Sequence, residues 1–110
     1  MPPMQIHIHK PHIDVSDGFE GFAQQRIEDV LSAYLDRLTR VDVHLKDENS
    51  QKGGADKRCV VEARPRGLDP LAAEHHGDGI REAFTGALDK LHRVLEHQLG
   101  RLSTKRRPPG

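Results

Sequence analysis

Lys90, Arg93 and His97 stand three and four residues apart, the spacing that sets side chains in one row along a helix. A row of cations suits a polyphosphate backbone, because each phosphate neutralised releases counterions, a gain that is blind to base sequence and weakens steeply with salt. The same row also serves as a plain solvated helix face, with Asp89 and Arg93 at the i, i+4 spacing of an ion pair. Arg101, Lys105, Arg106 and Arg107 carry the positive charge to the end of the chain, as an arm that orders along RNA or merely solubilises. Lys57, Arg58, Arg64 and Arg66 fall on or beside a strand-like stretch, where outward-facing members extend a basic patch or guard a sheet against aggregation.

Other reactive groups are sparse. His7, His9 and His44 belong to two alternating segments and cluster on one sheet face if those segments pair. Metal binding is not expected of them, since no cysteine or carboxylate at ligand spacing accompanies the three imidazoles and zinc prefers a closed, supported shell. Protonation in an acidifying cell is the alternative use, adding positive charge and tightening RNA binding. Cys59 alternates with Val61 and Ala63 and reads as a small core residue. Glu74, His75 and His76 are consecutive in a strand, so they point to opposite faces and do not converge on a substrate. No nucleophile elbow, HExxH or phosphate-cradling GxxxxGK is present, so neither enzymatic activity, a cofactor nor a small-molecule substrate is expected.

The elements that must position these groups come from a chain of 110 residues, enough for one domain with a small core. Hydrophobic residues make up 35% and charged residues 31%, so the apolar side chains must be concentrated on a few patterned faces. Formal net charge is zero but unevenly laid out. Residues 13–36 hold six acids and only Arg26, residues 37–66 hold eight Lys or Arg against five acids, and from Arg101 onward four basic residues stand with no acid. One cysteine makes no internal disulfide, and no apolar run approaches the length of a membrane span or a secretory leader; the expected location is cytoplasmic, without membrane contact.

Met4, Ile6 and Ile8 alternate with Gln5, His7 and His9, the period of a half-buried strand. Ser16 is placed to cap a helix running to about Leu38, with a stripe that includes Phe19, Ala23, Ile27, Leu31 and Leu38. Val41, Val43 and Leu45 mark a second strand, and the glycine-containing stretch 47–56 a loop. A third strand spans Lys57 to Arg64, a proline- and glycine-bearing turn follows at 65–70, and a short fourth strand covers Leu71 to His76. Asp78 is placed to cap a second long helix, whose stripe runs from Ile80 through Phe84, Leu88, Leu91 and Leu95 to Leu99 and Leu102. The predicted architecture is α+β: βαβββα, a four-stranded mixed sheet with two helices packed on one face and the other face left open. Residues 1–102 make the domain, and 103–110 a disordered basic tail.

In this order and spacing the chain resembles the ribosome hibernation promoting factor family, also called ribosome-associated inhibitor or sigma modulation proteins. The carrying segments are Met4-Gln5-Ile6-His7-Ile8, then Tyr34-Leu35-Asp36-Arg37-Leu38 running into Val41-Asp42-Val43-His44-Leu45, and finally Ala87-Leu88-Asp89-Lys90-Leu91-His92-Arg93-Val94-Leu95. The likeness spans roughly residues 4–102. It implies a domain that lodges in the mRNA and tRNA channel of the small ribosomal subunit, contacts ribosomal RNA through basic side chains on its helices, and blocks translation in starved or stationary cells. By position in the family pattern, Arg26, Arg37, Lys90 and Arg93 are the implied RNA contacts, with Arg101 beyond the helix end.

Some positions depart from that pattern. Glu28 and Asp29 lie where relatives tend to carry a lysine, and His97 stands where a lysine is common. The long dimerisation domain of larger relatives does not follow, so direct dimerisation of ribosomes through it is not expected, and the free chain is expected to be monomeric. The competing expectation is a non-catalytic regulatory or protein-interaction module of the same fold with little ribosome affinity, in keeping with zero net charge and an acidic first helix.

Overall fold

A computed structural model describes residues 4–10, 18–47 and 57–106, with side chains described through residue 100. The elements are β1 (Gln5–His9), α1 (Phe19–Val30), a 3-10 helix (Ser32–Arg37), β2 (Leu38–Asp47), β3 (Lys57–Pro65), β4 (Leu71–Gly77) and α2 (Ile80–Arg106). The βαβββα order and the four-stranded mixed sheet are those the patterning predicts. Strand order is β1-β2-β3-β4, with β1 parallel to β2 and the other two pairings antiparallel.

Alternation along the strands gives the sheet one apolar face. Val41, Val43, Leu45, Cys59, Val61 and Ala63 are buried there. Against them lie Phe19, Ala23 and Ile27 of α1, spaced four apart, and the α2 row Phe84, Leu88, Leu91, Leu95 and Leu99, every one of them buried. Each large side chain in such a core contributes about 1.5–3 kcal/mol through burial. Phe84 meets Phe19 edge-on at 5.6 Å and Phe22 at 6.0 Å, which fastens the two helices to each other.

A bulge fixes which residues reach the open face. Leu38 pairs with Pro65 and Arg40 with Arg64, so Thr39 is an extra residue in β2, and its hydroxyl donates to the Arg64 carbonyl at 3.1 Å. The slip lets Leu38 be fully buried while Arg40, two residues on, comes to lie outside. Arg40, Asp42, His44 and Lys46 thereby share the face away from the helices.

Two helix ends and one cap differ from those the residue pattern predicts. The first helix ends at Val30 rather than near Leu38, because Leu38 is buried as the opening residue of β2. The i, i+4, i+7 spacing of Leu31, Leu35 and Leu38 imitates a continuing helix, whereas the chain tightens into the 3-10 turn to meet the sheet. At the start of α2 the backbone N–H of Asp78 donates to the Glu82 carboxylate at 2.9 Å, so the side chain inside the helix reaches back to cap it. Helix α2 also continues through residues 103–106, which the apolar pattern assigns to the tail. Ser16, most of the 47–56 loop and residues 107–110 lie outside the described residues.

Candidate nucleic-acid interface

The cations expected to meet phosphate sit on the surfaces of the helices. Arg26 is exposed in the middle of α1, and among the described residues it has no ion-pair or hydrogen-bond partner. Exposed Glu28 and Asp29 follow it, the latter accepting from the Gln25 amide at 3.0 Å. Arg37 closes the 3-10 helix and is half-buried, its guanidinium donating to the Leu99 carbonyl at 3.5 Å. That contact brings Arg37 beside the distal half of α2. Tyr34 makes the same approach, its ring 6.1 Å from that of His92, and burial together with the Glu96 carboxylate pushes its phenol up while Arg37 pulls it down.

On α2, Lys90, Arg93 and His97 are all exposed. Their environments differ. The Lys90 ammonium donates to the Glu74 carbonyl at 3.1 Å and so leans on the edge of β4. Arg93 has no partner among the described residues, and the ion pair with Asp89 that the spacing invites is not formed among them. Arg101, Lys105 and Arg106 lie on the helical backbone of α2 with side chains outside the described set, and Arg107 lies outside it altogether.

The basic residues around β3 are engaged with neighbours. Lys57 pairs with Asp47 at 3.1 Å, Arg58 with Glu74, and Arg64 with Glu62 at 3.7 Å, while Arg66 donates to the Asp36 carbonyl at 3.2 Å. Charges matched in this way add little positive potential, so the open sheet face is mixed rather than basic. Glu74 and His76 point to that face, whereas His75 turns to the helix side under Gly86, so the three do not converge.

Two of the three sheet histidines come together. His9 and His44 are cross-strand partners with rings stacked at 4.5 Å and 8° between planes. His7 instead donates to the Gln5 side-chain oxygen at 3.0 Å. Asp42, two residues before His44, joins the pair, although the residue pattern marks it only as a polar strand position. The Asp-x-His spacing within one strand is the signal that would have revealed it. The residue is only 3% exposed, and its Oδ1 accepts from His9 Nε2 at 2.9 Å and from Arg40 Nε and Nη2 at 3.0 and 2.8 Å. Burial alone would raise its carboxyl, yet the hydrogen bonds from Arg40 and His9 and their charges outweigh that and hold it below the ordinary range. Beside the imidazoles opens a cavity of about 370 Å³ whose walls include Lys46, Arg58 and Val60.

Comparison with known proteins gives two results of different weight. The family described as sigma 54 modulation protein / S30EA ribosomal protein matches over residues 6–103. Among solved structures, a ribosomal subunit interface protein from Coxiella burnetii superposes with a TM-score of 0.73 at 13% identity, covering 88% of this chain and 99% of that one. The N-terminal domain of Protein Y from Thermus thermophilus gives 0.67 at 17% identity, covering 86% and 98%. At such identities the structural likeness speaks for the fold. No curated protein sequence matches the chain significantly.

Proposed function

The chain belongs to the sigma 54 modulation protein / S30EA ribosomal protein family, and from that premise we propose that it binds the ribosome and silences it by occupancy. The domain would fill the mRNA and tRNA channel of the small subunit, anchored on ribosomal RNA by helix cations, in cells under stress or in stationary phase. Such a mechanism needs no bond-making: exclusion is steric, and electrostatics supply the hold. Its place of action would be the cytoplasm, and no described helix is long and apolar enough to cross a membrane.

The observation that carries this reading is Arg93, exposed on α2 with no partner among the described residues, in one row with exposed Lys90 and His97. A guanidinium in that state can bind a phosphate without first breaking a contact within the domain. Arg37, held beside the same helix, and Arg26, exposed on α1, are the further contacts this reading would use. Sedimentation of stationary-phase lysate through sucrose tests the reading. At low salt the protein is expected to travel with ribosomal particles, and at high salt to leave them. Lys90→Glu combined with Arg93→Glu should shift it to the top of the low-salt gradient; full co-sedimentation of that variant would reject the assignment.

A second reading is favoured by exposed Glu28 and Asp29, which place two negative charges within one turn of Arg26. They would repel phosphate at that end of α1 and suit a protein partner instead. A wild-type protein that stays at the top of the gradient at both salt concentrations would select this regulatory or protein-interaction role.

A further inference from the structure

We propose that His9, Asp42 and His44 form a binding site on the open sheet face for a divalent transition-metal ion of the zinc class, separate from the helix cations of the proposed function. Two imidazole nitrogens and one carboxylate oxygen are offered by three residues whose ligand atoms all lie within 4.8 Å of one another. Backbone pairing sets the arrangement: His9 and His44 are register partners, and Asp42 stands two residues before His44 on the same face.

The distances are within reach of chelation. Donors about 2.1 Å from a tetrahedral ion lie about 3.4 Å from each other. His9 Nε2 and Asp42 Oδ1, at 2.9 Å, have to part by about half an ångström, with the ion replacing the hydrogen that now joins them. The stacked rings must splay so that both lone pairs aim at one point. That turn disturbs no core packing, since the His9 side chain is 43% exposed and His44 is exposed as well.

An unused acceptor supports the assignment independently. Asp42 Oδ2 is buried and has no hydrogen-bond partner among the described residues, whereas Oδ1 takes three donors. Buried carboxylate oxygens are rarely left so, and an ion gripped by both oxygens of the carboxylate would give Oδ2 a partner as well. Arg40 would remain on the carboxylate as the outer layer that orients a metal-binding group.

Charge selects the class of ion. Asp42 is already balanced by Arg40, and although Glu62 is its register partner on β3, Lys46 and the Glu74-paired Arg58 line the adjoining cavity. A hard cation held by oxygen and charge, such as magnesium or calcium, finds too little here. The nitrogen lone pairs have to carry the affinity, which favours zinc, nickel or copper. Three protein ligands leave a coordination position for water toward the cavity.

The test is calorimetric titration of the full chain with Zn²⁺ near neutral pH, with visible absorption of bound Co²⁺ as the second readout. One ion per chain is expected with micromolar affinity, His76→Gln unchanged, and at least tenfold weaker binding in both His9→Gln and His44→Gln. The Co²⁺ bands should disappear in His44→Gln. Asp42→Asn deprives the Arg40 guanidinium of its charge partner and puts the fold at risk, so the two histidine variants are the deciding ones, with circular dichroism as the check on folding. Absence of binding tighter than millimolar, a smaller loss in either histidine variant, or an equal loss in His76→Gln overturns the proposal.

Discussion

The His75 ring lies so close to Gly86 that a methyl group on that helix position would sit 2.1 Å from ring carbon Cδ2. Alanine normally stabilises a helix interior over glycine by about 1 kcal/mol. Here that preference is reversed, because the ring must leave its place to admit the methyl, and overpacking of this kind costs roughly 1–3 kcal/mol. Gly86→Ala should therefore lower the melting temperature. In a His75→Ala background the same substitution should raise it, and a destabilising effect in both backgrounds would mean that the contact is not the cause.

Lys90 and Arg93 are expected to contribute unequally to ribosome association. The Lys90 ammonium already holds the Glu74 carbonyl, while Arg93 has no such partner among the described residues. Arg93→Ala should weaken co-sedimentation more than Lys90→Ala and should reduce the salt slope by about one phosphate contact. Neither should move the melting temperature by more than a degree or two, since both side chains are exposed. Equal losses would indicate that Lys90 releases its carbonyl on binding.

Cys59 should be inert in the folded protein. It is fully buried, and burial pushes its thiol up to about 12 from an ordinary 9.0. Iodoacetamide at pH 8 should label it only after unfolding, because the thiolate is the attacking species. Linkage has the same sign: the neutral thiol favours the folded state fully below pH 9, and the benefit fades as pH rises toward 12. Rapid native-state labelling would contradict the burial of this strand.

Phe84 holds both helices through its contacts with Phe19 and Phe22. Phe84→Ala should cost about 3–5 kcal/mol. Against the 5–15 kcal/mol typical of a small domain, that is a large share. Chemical denaturation should show a lower midpoint, and an unchanged midpoint would be incompatible with the packing described.

Most of the architecture is legible in the chain because burial on one face writes a period. Ile6 and Ile8, Val41 to Leu45 and the α2 leucines each reveal their element this way. Leu38 misleads, since an apolar residue at helical spacing looks the same whether it is buried by a helix or by the strand that replaces it. Thr39 is invisible as a bulge, for nothing local distinguishes an extra residue from its neighbours. The exposure of Arg26, Lys90, Arg93 and His97 follows from the helical stripes, whereas the Lys90 hold on Glu74 depends on how α2 meets a strand edge. Asp42 shows the remaining limit, because its partner Arg40 is a sequence neighbour but His9 arrives from another strand.

β1 pairs with β2 alone, in parallel, and each paired residue lies 35 positions from its counterpart, as Gln5 does from Arg40. Synthesis therefore delivers the first strand well before anything exists for it to lie against, while β2, β3 and β4 follow one another as an antiparallel meander. The N-terminal strand is accordingly expected to dock last and to peel away first. In hydrogen exchange its amides should open at a lower free energy than those of β3, which is flanked on both sides.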